Sequence, residues 1–280
     1  MIYEKIDLYD YFSVPRNGSK GGELTVYVRE KYTEIKDRIR PAMLVIAGGG
    51  YNIVSERESE PVALEFLHAG FSAFSLRYSV NTPFPAPLLE AGMAMAFIRE
   101  NAEKYSVDRA HVGAIGFSAG GHLTGMLATM FDDGSLKAAL GKRAELVRPD
   151  AVILCYPVIT TGEYSHDGTA DTISGGDKQL RRKLSVESLV TEKSSPAFIW
   201  HTQEDAAVCV RNSLMLASAY QTCGVPYELH IFERGRHGLG AVGLEVENAE
   251  HPEEVARDAA WLPLAKSYLK MRGFGLKIKE

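Results

Sequence analysis

Apolar residues fall in short runs along the chain, and the period of each run predicts its structure. Residues 43–47 (MLVIA) are continuously apolar, as in a strand buried on both faces, and empty into Gly48-Gly49-Gly50-Tyr51. Residues 71–76 (FSAFSL), 110–115 (AHVGAI), 151–155 (AVILC), 197–201 (AFIWH) and 227–232 (YELHIF) read as further strands. Residues 24–29 (LTVYVR) alternate instead, which predicts an edge strand with one wet face. Helix-compatible segments lie between these runs. They cover residues 58–68, closed by Gly70, residues 88 to about 104, held off until then by Pro83, Pro85 and Pro87, then 123–131 and 208–222. A final helix is expected to begin near Pro252, a good first-turn residue, with Pro263 kinking or restarting it. Strands alternating with helices imply a doubly wound, mostly parallel α/β sheet with helices on both faces. Two stretches lack a period. Residues 1–22 read as irregular, and residues 157–195 as a long polar insertion of the kind that shapes a site. With no internal repeat, low-complexity run or linker, residues 1–280 are expected to form one domain.

Charge narrows the partners. The net charge is −5 with both signs mixed and no basic block, which argues against nucleic acid. The three cysteines, Cys155, Cys209 and Cys223, include no Cys-x-x-Cys and read as small apolar residues rather than bridges or ligands. Charges at Glu4, Lys5 and Asp7 stand where a signal peptide needs an apolar run, and no apolar stretch reaches membrane-spanning length. A cytoplasmic chain without membrane contact is the expectation.

The chemistry centres on Gly116-Phe117-Ser118-Ala119-Gly120, a Gly-x-Ser-x-Gly pattern lying between a predicted strand and a predicted helix. That context is what gives the pattern meaning: the serine sits on a strained turn, the glycines let strand and helix approach, and the helix N-terminus faces any anion formed there. A serine hydroxyl needs a base within hydrogen-bond reach. In a parallel sheet, catalytic groups lie in loops at the carboxyl ends of strands. The loop after residues 197–201 carries Glu204 and Asp205, and the loop after residues 227–232 carries His237 between glycines, with no core to fill. The chain order Ser118, Asp205, His237 suits a triad, with Glu204 as rival for the acid. His111 and His230 lie inside strands and His122 on the elbow helix, so each reads as structural. His201 ends a strand and is suited to bonding the loop after it. Asp150, before a strand, belongs at the wrong end of the sheet.

A tetrahedral intermediate also needs N–H donors. Ala119 offers one, and Gly49 and Gly50 offer others, while Gly48 makes the turn. A triple glycine could equally cradle phosphate, but no Lys-Ser/Thr follows it as a P-loop requires. No dinucleotide fingerprint is present. His201 and Asp205 lie across a strand end rather than on one helix face, so no metal or other cofactor is expected.

These segments together resemble the α/β-hydrolase superfamily, and within it the esterase/lipase group that includes bacterial acetylxylan esterase-like carbohydrate esterases. The resemblance rests on Ala47-Gly-Gly-Gly-Tyr51 with Glu58-x-Glu60-Pro61, on Val107-Asp108-Arg109 leading into Gly116-Phe-Ser-Ala-Gly-Gly-His122, on Phe198-Ile-Trp-His-Thr202 with Asp205, and on Glu228-Leu-His-Ile-Phe232 with His237-Gly-Leu-Gly240. It implies an α/β-hydrolase fold without a large cap, an open cleft, and a serine carboxylesterase acting on short acyl esters of carbohydrate or similar polar alcohols. The implied partner is a small-molecule ester, acetylated sugars and oligosaccharides included. Arylformamidase and peptidase activities occur on the same scaffold, as do non-catalytic binding modules. The chain departs from many relatives at Ala47, where they carry histidine, and at Cys209, where they carry proline.

Overall fold

The computed structural model describes residues 1–241 and 260–279. Its strands are β1 (Ile2–Asp7), β2 (Glu23–Val28), β3 (Arg38–Ile46), β4 (Ser72–Arg77), β5 (Val107–Phe117), β6 (Val152–Cys155), β7 (Ala197–Thr202) and β8 (Tyr227–Phe232). They form one sheet in the order β1-β2-β4-β3-β5-β6-β7-β8, and a short β9 (Lys277–Ile278) adds to β3. From β4 to β8 every pairing is parallel; β1 and β2 run antiparallel. The doubly wound α/β architecture is thus present.

Period two along β3 sorts the two layers. Ala42, Leu44 and Ile46 face a cluster containing Leu88 and Phe97 of α3 (Ala86–Glu100), Leu123 and Leu127 of α4 (Ala119–Thr129), Leu136 of α5 (Gly134–Leu140), and Leu216 of α8 (Arg211–Thr222). Met43 and Val45 face the other way, toward Val62 and Phe66 of α2 (Glu60–His68) and Trp261, Ala265 and Leu269 of α9 (Trp261–Met271). Both faces are therefore dry, which is why the central strands carry no alternation in the sequence.

Several expectations are corrected. Residues 1–22 are not irregular: they hold β1 and α1 (Leu8–Phe12), whose N-terminus is capped by the Asp7 side chain accepting from the Asp10 N–H. The charges of β1 masked its period. Lys5 reaches Glu23 on the neighbouring strand, and Glu4 bonds Lys104 and Tyr105. With β1 at the edge, β2 becomes an interior strand. The helix expected from residue 88 begins at Ala86, because Pro87 fits a first turn. Residues 157–195 contain α6 (Asp167–Ser174) and α7 (Lys178–Lys183), capped by His166 and Asp177. Helices this short show too few turns for a period to register. The helix start expected near Pro252 lies outside the described residues. Pro263 sits in the first turn of α9, where its missing N–H costs nothing. Among the described residues no helix is long and apolar enough to cross a membrane.

The fold matters for chemistry because of its carboxyl edge. Register sets Ile46 beside Gly116, Phe117 beside Cys155, Cys155 beside Trp200 and Thr202 beside Phe232. The loops carrying Gly48, Ser118, Tyr156, Asp205 and His237 all leave from this one edge.

Candidate active site

Ser118 joins β5 to α4 with φ 51° and ψ −117°. A non-glycine residue there is strained and must be held. Its N–H donates to the Cys155 carbonyl at 3.0 Å, and its own carbonyl accepts from the N–H groups of His122 at 3.1 Å and Val158 at 3.0 Å. The flanking glycines are steric requirements. A Cβ on Gly116 would lie 2.2 Å from the Gly120 carbonyl oxygen, and one on Gly120 would lie 2.2 Å from that of Ile46. Any side chain at either position would push β5, α4 and β3 apart.

The structure brings the three residues expected of a triad into one hydrogen-bonded chain. The Ser118 hydroxyl lies 2.8 Å from His237 Nε2, and His237 Nδ1 lies 2.6 Å from Asp205 Oδ2. The other carboxylate oxygen accepts the N–H groups of Ala207 at 2.9 Å and Val208 at 2.8 Å. With one oxygen held by backbone, the second must face the imidazole. Glu204 is exposed, one residue away. Burial alone would raise the Asp205 pKa, but hydrogen bonds from His201 and His237, the His237 charge and the Val208 N–H outweigh it and hold this carboxyl far below the usual range. His201 is fully buried. Its Nε2 donates to the Val208 carbonyl at 2.9 Å and stands 3.3 Å from Asp205 Oδ2. It therefore bonds the loop after its strand, as expected.

The remaining histidines and acids lie elsewhere. His122 is buried between the Tyr51 hydroxyl at 3.0 Å and the Leu184 carbonyl at 2.8 Å, and burial pushes its pKa down to about 4. Since Nε2 must donate to that carbonyl, Nδ1 accepts from Tyr51. His111 bonds Asp108 and His230 bonds Glu228. Asp150 is tied to Arg99 and the Val112 N–H before β6 begins, at the opposite end of the sheet.

The glycine loop faces the serine from β3. Gly48 donates its N–H to Glu58 Oε2 at 2.8 Å, and its carbonyl accepts from Ser55, so it belongs to the turn. Gly49 and Gly50 have φ of 123° and 63°, open only to glycine without strain. Among the described residues no hydrogen bond takes the N–H of Gly49, Gly50 or Ala119. Beside this loop runs α6: Thr172 Oγ1 lies 3.4 Å from Asn52 Oδ1. Among the described residues no cluster of three or more His, Cys, Asp or Glu could hold a metal.

A family model described as BD-FAE matches residues 26–220. The chain belongs to the BD-FAE family. It is 41% identical over 217 residues to an endo-1,4-beta-xylanase B of Butyrivibrio fibrisolvens, a match covering 74% of this chain and 34% of that one. It is 29% identical over 210 residues to an acetylxylan esterase of Xylanibacter ruminicola, covering 71% of this chain and 41% of that one. The chain thus spans about a third to two fifths of the length of these curated relatives. A solved structure of an acetyl ester-xyloside bifunctional hydrolase from Caldicellulosiruptor lactoaceticus superposes with a TM-score of 0.81 at 36% identity, covering 97% of each chain.

This BD-FAE chain also places residues at the site that sequence reasoning missed. Glu58 is 3% exposed and its Oε1 accepts from the Tyr156 hydroxyl at 2.7 Å. The Tyr156 oxygen in turn accepts the Gly240 N–H at 2.8 Å, and its ring packs edge-on against His237 with centroids 5.0 Å apart. Glu58 entered the resemblance only as part of Glu58-x-Glu60-Pro61, with no role attached, and Tyr156 not at all: a glutamate near a helix start reads as a charge placed for the helix dipole, and a tyrosine after a strand reads as core.

Proposed function

We propose that the chain is a serine carboxylesterase that removes short acyl groups, acetyl above all, from carbohydrate or similar polar alcohols. The observation that carries this reading is the unbroken chain from Ser118 Oγ through His237 to a doubly anchored Asp205. Ser118 attacks the ester carbonyl while His237 Nε2 takes its proton. The tetrahedral oxyanion is held by the N–H groups of Ala119, Gly49 and Gly50 at the start of α4 and in the facing loop. The intermediate collapses, the alcohol leaves with the proton from His237, and water repeats the sequence on the acyl-enzyme to release the acid. The acetyl-on-sugar assignment draws support from the relatives described as an acetylxylan esterase and an acetyl ester-xyloside hydrolase.

The test is a substrate panel. Acetylated xylo-oligosaccharides and p-nitrophenyl acetate should be turned over, and formylkynurenine and aminoacyl anilides should not. Activity across p-nitrophenyl esters should peak at the short end, and a maximum at eight carbons or more would remove the short-acyl reading. Aryl xyloside belongs in the panel because two relatives are named for xylan or xyloside cleavage. Glycosidases need two free carboxyl groups flanking the bond. Here Asp205 is committed to His237 and Glu58 is buried against Gly48 and Tyr156. Xyloside turnover surviving Ser118→Ala would reveal a second site.

The pH profile follows from the electrostatics. Asp205 is held too low to titrate in the working range, so an acid limb of kcat/KM should report the base that takes the Ser118 proton and not this carboxyl. A kcat/KM with no acid limb at all contradicts His237 as base.

Gly50→Val tests the oxyanion site. A Cβ there meets only Asn52 Nδ2 at 3.4 Å and Thr169 Oγ1 at 3.7 Å, so space is not the obstacle. The obstacle is φ 63°, which a β-branched residue does not tolerate, so the peptide must twist and re-aim its N–H. Losing one such donor costs about 10²- to 10³-fold in kcat, and ground-state binding should change far less. Unchanged turnover would mean the oxyanion is held elsewhere.

A further inference from the structure

We infer that Glu58 is a positioning residue for this hydrolysis, its buried carboxylate locking the glycine loop and the histidine loop together. The inference rests on the serine-esterase reading above.

Loops from three strand ends converge on this one side chain. Oε2 accepts the Gly48 N–H, fixing the peptide that leads into Gly49 and Gly50. Oε1 accepts the Tyr156 hydroxyl, which in turn anchors the Gly240 N–H three residues past His237. A Cβ on Gly48 would lie 2.7 Å from Glu58 Oε2 and 2.9 Å from Ser118 Cβ, so Glu58 packs directly behind the nucleophile's loop. Both carboxyl oxygens accept and neither has a group to donate to, a pattern that suits the ionised form.

That ionised form is costly. Burial raises the Glu58 pKa, opposed by the Tyr156 and Gly48 hydrogen bonds and the charges of His237 and Arg57. Among the described residues its charge is felt by Tyr156, Tyr78, Cys155, His237 and Arg57. Burial and the Glu58 charge push both tyrosines and Cys155 up, which keeps them neutral. Arg57 is exposed and permanently charged. His237 alone can respond by gaining a proton, and it must do so when Ser118 attacks. Glutamine would match the shape but offer one acceptor where Gly48 and Tyr156 both donate, so the pocket is built for a carboxylate. The retained charge favours the imidazolium of the transition state.

Glu58→Gln keeps the shape, deletes the charge and turns an NH₂ toward one of the two donors, the Gly48 N–H or the Tyr156 hydroxyl. Its kcat should fall about 10- to 100-fold, as outer partners of a reacting group typically cost, with KM nearly unchanged. Without the charge the imidazolium loses its proton more readily, so the acid limb of kcat/KM should move to lower pH. Tyr156→Phe cuts the link to Gly240 and removes a hydrogen bond that favours the ionised carboxylate, so kcat should fall here too. Should Glu58→Gln not fold, Glu58→Asp supplies the test, with lower kcat and the limb at its parental pH.

Parental kcat with an unmoved limb in Glu58→Gln overturns the inference. So does an activity loss that tracks a fall in Tm with the limb unmoved. In parallel, a fluorophosphonate probe is applied to the parental protein. No Ser118 adduct there refutes the serine-esterase reading itself, whatever the Glu58 variants do.

Discussion

Ser118→Ala is expected to abolish ester turnover, lowering kcat on the order of 10⁴- to 10⁶-fold, the range seen when a serine triad loses its nucleophile. No covalent route remains without Oγ. What survives is the oxyanion site formed by Ala119, Gly49 and Gly50, acting on water. The fold should not notice. Ser118 is held at φ 51° by three backbone hydrogen bonds that alanine keeps, and among the described residues its side chain bonds only His237. Far-UV circular dichroism and Tm should match the parental protein, and KM should change little. Mass spectrometry after fluorophosphonate treatment should find the adduct on Ser118 in the parental chain and none in the variant. A label on another serine, or turnover that persists in the variant, would falsify the nucleophile assignment.

The elbow was legible because its sequence constraint is local. Gly116 is forced by a 2.2 Å approach to the Gly120 carbonyl within the five-residue turn and Gly120 by a 2.2 Å approach to the Ile46 carbonyl of the adjacent strand, and a strand-to-helix turn packed this way imposes the same pattern wherever it occurs. His237 and Asp205 were legible through topology, since parallel strands leave only a few loops at the edge where Ser118 emerges. Separating Asp205 from Glu204 took coordinates: the N–H groups of Ala207 and Val208 point at the former, and no spacing rule encodes that. Glu58 was illegible for a related reason. Its partners Gly48 and Tyr156, and Gly240 bonded to Tyr156 in turn, come from three separate loops, and a contact made by tertiary folding leaves no period in the chain. β1 and α1 were missed because local charge overrode a weak alternation. Asp7 followed by Leu8, Tyr9 and Phe12, a cap and then buried residues at helical spacing, is the signal that could have found α1.

Asp205→Asn should cost about 10⁴-fold in kcat, comparable to the same change in the best-studied serine triad. The geometry gives the reason. The oxygen facing Ala207 and Val208 must remain an acceptor, because two backbone N–H groups point at it. An asparagine is therefore forced to turn its NH₂ toward His237 Nδ1 and toward the nearby His201 Nε2–H. Facing a donor, His237 must leave Nδ1 bare and carry its proton on Nε2, where it meets Ser118 and can accept nothing. The imidazolium also loses its counter-charge. Glu204→Gln is the control: that side chain is exposed, and its loss should leave kcat within about twofold, as surface changes away from a site usually do. Stability adds an independent arm. A carboxylate whose folded pKa is depressed contributes stability above its unfolded pKa, and that contribution fades as pH falls through the folded value. The Tm deficit of Asp205→Asn should therefore be full at pH 7 and shrink progressively below about pH 4, where the unfolded carboxyl begins to protonate. If Glu204→Gln proves the more damaging change to kcat, or if the Tm deficit of Asp205→Asn is the same at pH 7 and pH 3, Asp205 is not the charged partner of His237.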